Sequence, residues 1–148
     1  MTVAVALAML QREGHWLLQL RDDIPTIVAP GCWGLFGGHL DPGETPEQAL
    51  RRELLEELAW AAGELPFWFS DANEQRIAHF FRAPLTVPLE ALQLLEGQDL
   101  VLASLEALGR GQIWSPRLGQ LRPLAPSLHC AIARLRSSPL PPPGRQGG

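Results

Sequence analysis

The stretch from Thr45 to Ala61 constrains this chain more than any other, because independent signals agree on a helix there. Thr45 is a good N-cap, Pro46 suits the first helical position, and Gln48 completes a capping box. Leu50, Leu54, Leu58 and Ala61 recur at i, i+4, i+8 and i+11, an apolar stripe that must be buried. The helix is expected to continue to Gly63, which reads as its stop. The same stretch places Glu53, Glu56 and Glu57 at i, i+3 and i+4, on one face. That face lies about a quarter-turn from Leu54 and Leu58. Three carboxylates so close repel one another, which raises their pKa values unless cations neutralise them.

Charge repeats the message. The net charge of −4 falls wholly between positions 38 and 60, where six acids face Arg51 and Arg52. Elsewhere acids and arginines balance, and the chain has no Lys. A balanced remainder argues against general nucleic-acid binding, which needs a basic face. A local excess of carboxylates marks either a solvated helix with Glu–Arg pairs or a cation site. Hard divalent ions take oxygen ligands and retain waters. Glu44, on the loop entering the helix, can fold back toward the cluster. Gly37-Gly38 lets backbone approach closely, so the Gly38 carbonyl could be a further ligand.

The rest of the chain frames this helix. Positions 3–10 read as a buried strand and 15–21 as its hairpin partner across Glu13-Gly14, with Leu18 and Leu20 alternating against Gln19 and Arg21. Positions 22–32, with two prolines and Pro30-Gly31, read as a loop, and 33–38 as a short strand running into a glycine turn. Aromatic-rich 66–70 and 76–82 read as strands, and 92–95 and 100–103 as two more. Ser104 caps a short helix ending at Gly109, and Leu128, Ile132 and Leu135 mark a closing amphipathic helix after Pro126. The expected domain is 1–136, followed by a flexible Pro/Gly-rich tail over 137–148. The pattern is a mixed α/β layer architecture. No apolar run approaches the roughly 20 residues of a membrane helix. The apolar start lacks preceding basic residues and a cleavage site, and two cysteines are too few for a disulfide framework. The expectation is a reduced, cytoplasmic setting.

Gly38, five residues, Glu44, seven residues, then Arg52-Glu53-Leu54-Leu55-Glu56-Glu57-Leu58-Ala59-Trp60 resembles the Nudix box, G-x5-E-x7-R-E-U-x-E-E-x-G-U, where U is bulky and apolar. Only Ala59 departs, standing where the family usually has Gly. The resemblance implies an α/β/α sandwich with a mixed sheet between helices. It implies metal-dependent hydrolysis of the pyrophosphate linkage in a nucleoside diphosphate derivative: a nucleoside triphosphate, an oxidised nucleotide or a nucleotide sugar. Carried over by position, Glu53, Glu56 and Glu57 would hold Mg²⁺ or Mn²⁺, with the Gly38 carbonyl as a further ligand. Glu44 would support the metal site, and Arg52 would orient the glutamates. Glu56 or Glu57 is the favoured proton acceptor, with Glu96 or Glu106 as loop alternatives.

Gln19, Arg21, Arg76 and His39 are candidate substrate contacts; a solvated sheet face, or for His39 a hydrogen bond to its loop, is the plainer reading. The family's dinucleoside-polyphosphate branch typically has a downstream Tyr, and this chain has none. Its ADP-ribose branch typically has a Pro about fifteen residues after the box, where this chain has Asn73-Glu74-Gln75-Arg76. A small nucleotide is thus the expected partner, with no nucleic acid or membrane, and a homodimer is allowed. Two rivals stand: a Nudix-like module that binds a nucleotide without cleaving it, and an isomerase of prenyl diphosphates, for which only Cys32 near the box speaks.

Overall fold

The structure is a computed structural model that describes residues 2–137; the expected tail lies outside the described residues from 138 onward. The central strand β1 (Val3–Arg12) alternates its side chains between two cores. Val5, Leu7 and Met9 enter one core, and Ala6, Ala8 and Leu10 the other. Glu13 and Gly14, both at positive φ, turn the chain into β2 (His15–Leu20), so the expected hairpin forms with Gln11 opposite Trp16. Beyond that point the two strands part. The segment expected as one strand is two short ones, β3 (Trp33–Gly34) on β2 and β4 (Phe36–His39) on β1.

Helix α1 (Pro46–Leu58) follows, with both hydrogen bonds of the Thr45–Gln48 capping box present. β5 (Phe67–Ala72) and β6 (Arg76–Pro84) form an antiparallel pair, and β6 runs parallel to β1 with Val3 opposite Arg76. β7 (Asp99–Ser104) pairs with β2, giving a seven-stranded mixed sheet. Ser104 caps α2 (Leu105–Leu108), and α3 (Pro126–Ser137) closes the described chain. Leu50, Leu54 and Leu58 of α1 pack on one face of the sheet, and Leu128, Ala131 and Ile132 of α3 on the other. The small Ala6 and Ala8 beneath α1 let that helix lie close to the sheet. No helix among the described residues is long and apolar enough to cross a membrane.

Two further expectations fail, each for a physical reason. Helix α1 stops at Leu58 instead of continuing to Gly63, because Ala59 adopts the left-handed conformation (φ 54°, ψ 37°) with its N–H on the Leu55 carbonyl. That reversal returns Trp60, Ala62 and Leu65 to the α1-side core. Positions 92–95 are not a strand: Gln93 and Leu95 give their N–H groups to the carbonyls of Leu58 and Glu57, satisfying the end of α1 rather than a sheet. A second, two-stranded sheet of β8 (Gln112–Ser115) and β9 (Gln120–Pro123) was not expected. Gly119, at φ 65°, lies in the turn between its strands, and burial alternates along 112–115.

Candidate active site

Two segments meet beside the splayed strands: the Gly37-Gly38 pair, which lies within β4 opposite Leu7 and Ala6 of β1 and not in the expected turn, and the C-terminal half of α1. Glu57 is 2% exposed, and its Oε1 accepts the Gly37 N–H at 2.9 Å. Glu53, one turn earlier, packs its carboxylate directly over Gly38, where any Cβ would collide with it. Gly38 thus leaves room for the Glu53 carboxylate, while Gly37, at φ 138°, lies against the Ala6 and Leu7 backbone of β1, where a Cβ would clash.

A third carboxylate arrives from the 93–98 loop. Glu96 lies near both helix glutamates, and its negative charge raises the pKa of each. Burial, with this repulsion added, pushes Glu53 up to about 7 and Glu57 up to about 10, against an ordinary carboxylate near 4.5. The Gly37 N–H and, for Glu53, Arg52 oppose the rise only in part.

Arg52 organises the outer side. Its Nε and Nη2 donate to Glu44 at 2.8 and 3.0 Å, its Nη1 donates to Glu56 at 2.9 Å, and its Nη2 also meets the His39 carbonyl at 3.0 Å. Asp41 and Glu53 lie at 3.4 and 3.6 Å from the same guanidinium. These hydrogen bonds hold the Glu44 carboxyl below its ordinary pKa and raise that of Arg52.

The expected site residues therefore separate. Glu53, Glu57 and Gly38 come together, joined by Glu96. Glu44 stands behind Arg52, and Glu56, half exposed, is drawn to Arg52. No three carboxylate, imidazole or thiol groups among the described residues, Glu53, Glu57 and Glu96 included, stand at metal-ligating separation. Glu106 is exposed and pairs with Arg110. Of His39, the backbone carbonyl engages Arg52, while the residue is exposed. Gln19, Arg21, Asp22, Ile27, Glu96 and Gly97 line a cleft of about 170 Å³ beside the acidic group. Gln19 is buried, and Arg21 donates to the Val28 carbonyl at 2.7 Å. Arg76 is half-buried; burial and the nearby Arg21 lower its pKa. Asp41 and the cleft residues Asp22, Ile27 and Gly97 were missed, and no local motif marks them.

The donor set fits a hard divalent cation. Carboxylate oxygens approach the side-chain-free Gly37-Gly38 backbone of β4, and among the described residues Arg52 pairs with Glu53 at 3.6 Å but with neither Glu57 nor Glu96.

A mixed sheet between helices, with an acidic helix turn against a glycine pair of β4, defines an α/β/α sandwich. The chain belongs to the NUDIX family: the family model described as NUDIX domain matches residues 1–119. It is 49% identical over 51 residues to nucleoside triphosphatase NudI of Escherichia coli, a match spanning 34% of this chain and 35% of that protein. Among solved structures it resembles the MutT NUDIX hydrolase of Burkholderia pseudomallei, with TM-score 0.71 and 23% identity over 91% of this chain and 98% of that one. It also resembles the E. coli ORF135 protein, with TM-score 0.62 and 29% identity over 95% of each chain.

Proposed function

We propose that this chain is a pyrophosphohydrolase that uses a divalent ion, Mg²⁺ or Mn²⁺, to cleave the phosphoanhydride of a nucleoside triphosphate. An oxidised nucleotide or a nucleotide sugar belongs to the same chemistry. The observation that carries this reading is the close approach of the Glu53 and Glu57 carboxylates to the bare Gly37-Gly38 backbone of β4, with Glu96 nearby, beside a cleft bordered by Arg21. The partial likeness to a protein named nucleoside triphosphatase supports the substrate class.

Glu53 and Glu57, with Glu56 and the Gly38 carbonyl, would hold the ion. A divalent cation there supplies positive charge against the polyanionic substrate and lowers the pKa of adjacent water. The residues do the rest. Arg52 clamps Glu44 and Glu56, fixing the outer carboxylates. Arg21 borders the cleft, where its charge favours phosphate oxygens. Glu96 is exposed and faces the same point from the opposite loop, so it serves as acceptor of the proton from the attacking water. Its position favours it over Glu56, which is engaged by Arg52, and over Glu106, which pairs with Arg110.

Purified protein with Mg²⁺ is tested against a panel of nucleoside triphosphates, oxidised nucleotides and nucleotide sugars, reading released phosphate and pyrophosphate. Turnover of a triphosphate is expected. Glu57→Gln is expected to lower kcat by about 100-fold or more, since metal charge stabilisation is worth several kcal/mol, while the helix stays folded on Leu50, Leu54 and Leu58. Nucleotide binding without turnover of any phosphoanhydride would instead make the chain a sensing module.

A further inference from the structure

The loop that brings Glu96 to the acidic pair is fastened at both ends. On one side, the N–H groups of Gln93 and Leu95 bond the Leu58 and Glu57 carbonyls at 3.0 and 2.8 Å. On the other, the Gln98 N–H bonds the Leu20 carbonyl at 2.7 Å, and its side-chain Nε2 bonds the Arg21 carbonyl at 2.9 Å. Between these anchors only Glu96 and Gly97 remain, and a single side chain holds them. Gln19, on β2 and 3% exposed, donates its Nε2–H to the Glu96 carbonyl at 3.1 Å. A carbonyl can only accept, so this contact sets which end of the Gln19 amide faces the loop. Gly97 lies against the same side chain at φ 98°; a Cβ there would stand 2.9 Å from the Gln19 Cγ and from the Leu20 carbonyl. The loop thus crosses Gln19 at a distance only glycine permits.

We infer that Gln19 is a positioning residue, which fixes the Glu96 carboxylate against Glu53 and Glu57 by holding the Glu96 main chain. The inference rests on the reading of Glu96 as proton acceptor. It stands beside the expectation that Gln19 contacts substrate, since one amide N–H is committed to the loop while Gln19 also lines the cleft. A carboxylate on a loop tip is mobile unless tethered, and a displacement of about 1 Å at a reacting group can lower turnover about 100-fold.

The test uses the full chain with saturating Mg²⁺ and whichever nucleoside triphosphate the wild type turns over. Gln19→Met keeps the length and removes the donor. It is expected to lower kcat roughly ten- to a hundred-fold, with KM within about two-fold of wild type. If Gln19→Met does not fold, Gly97→Ala displaces the loop from its other side with Gln19 intact, and the same selective loss of kcat is expected. Glu96→Gln, assayed in parallel, separates the two claims. An inactive Glu96→Gln beside a fully active Gln19→Met, or Gly97→Ala where the first does not fold, overturns the positioning role alone. A raised KM at unchanged kcat in Gln19→Met also overturns it, and leaves Gln19 as a substrate contact alone. A fully active Glu96→Gln overturns both claims.

Discussion

Two carboxylates that face each other in a buried turn are held there against their own preference. Both Glu53 and Glu57 have folded-state pKa values above their unfolded value, to about 7 and about 10. The folded protein therefore binds more protons than the unfolded chain in that range. Their contribution to stability is fully present below the unfolded pKa and is lost as pH rises through the folded values. In chelator, the melting temperature should fall from about pH 5 to about pH 7 and beyond. Glu53→Gln should flatten the lower part of that fall, and a melting temperature that rises over this range would contradict the assignment. Ala59 is a second strained position. An Ala in the left-handed region costs about 1 kcal/mol, partly offset by the greater unfolded freedom of Gly. Ala59→Gly should stabilise the protein by about 0.5 kcal/mol in urea denaturation. The spacing of the glutamates was legible from sequence because helical geometry alone dictates it. The direction of Glu56 was not, because Arg52 has several acceptors within reach and only the folded loop decides among them.

Elements were legible where one local rule acts alone. The start of α1 followed from Thr45, Pro46 and Gln48, and the β1–β2 hairpin from Glu13-Gly14 and the flanking alternation. The end of α1 was not, since the apolar stripe continues through Ala61 while the chain turns back at Ala59 to bury Trp60. Segment 92–95 carries the apolar character of a strand, yet its hydrogen bonds go to the end of a helix. No local pattern encodes that choice. The capping box also precedes the site: Glu44, which Arg52 clamps, is the residue before Thr45. Thr45→Ala should cost about 1 kcal/mol of stability. Circular dichroism in urea should show this as an earlier unfolding midpoint.

At the scale of the molecule, the two cores on either side of the sheet leave the acidic turn at one end, where the strands splay. Both cores form without any contribution from the site, and a bound ion should add to the stability of the fold. Addition of Mg²⁺ at about 100 times its dissociation constant should stabilise the folded state by about 2.7 kcal/mol. Calorimetry with and without chelator measures this, and Glu57→Gln should abolish most of the difference. The layered class was legible because strand and helix periods alternate along the chain. The Glu96 loop was legible only as one of two alternatives, since about forty residues separate it from Glu57. The parallel pairing of β1 with β6 also orders events during synthesis. One hydrogen-bonding edge of β1 stays unpaired until Arg76–Pro84 has been made. Over that interval the nascent chain exposes a sticky template, so early release or slow translation before position 84 favours aggregation over folding.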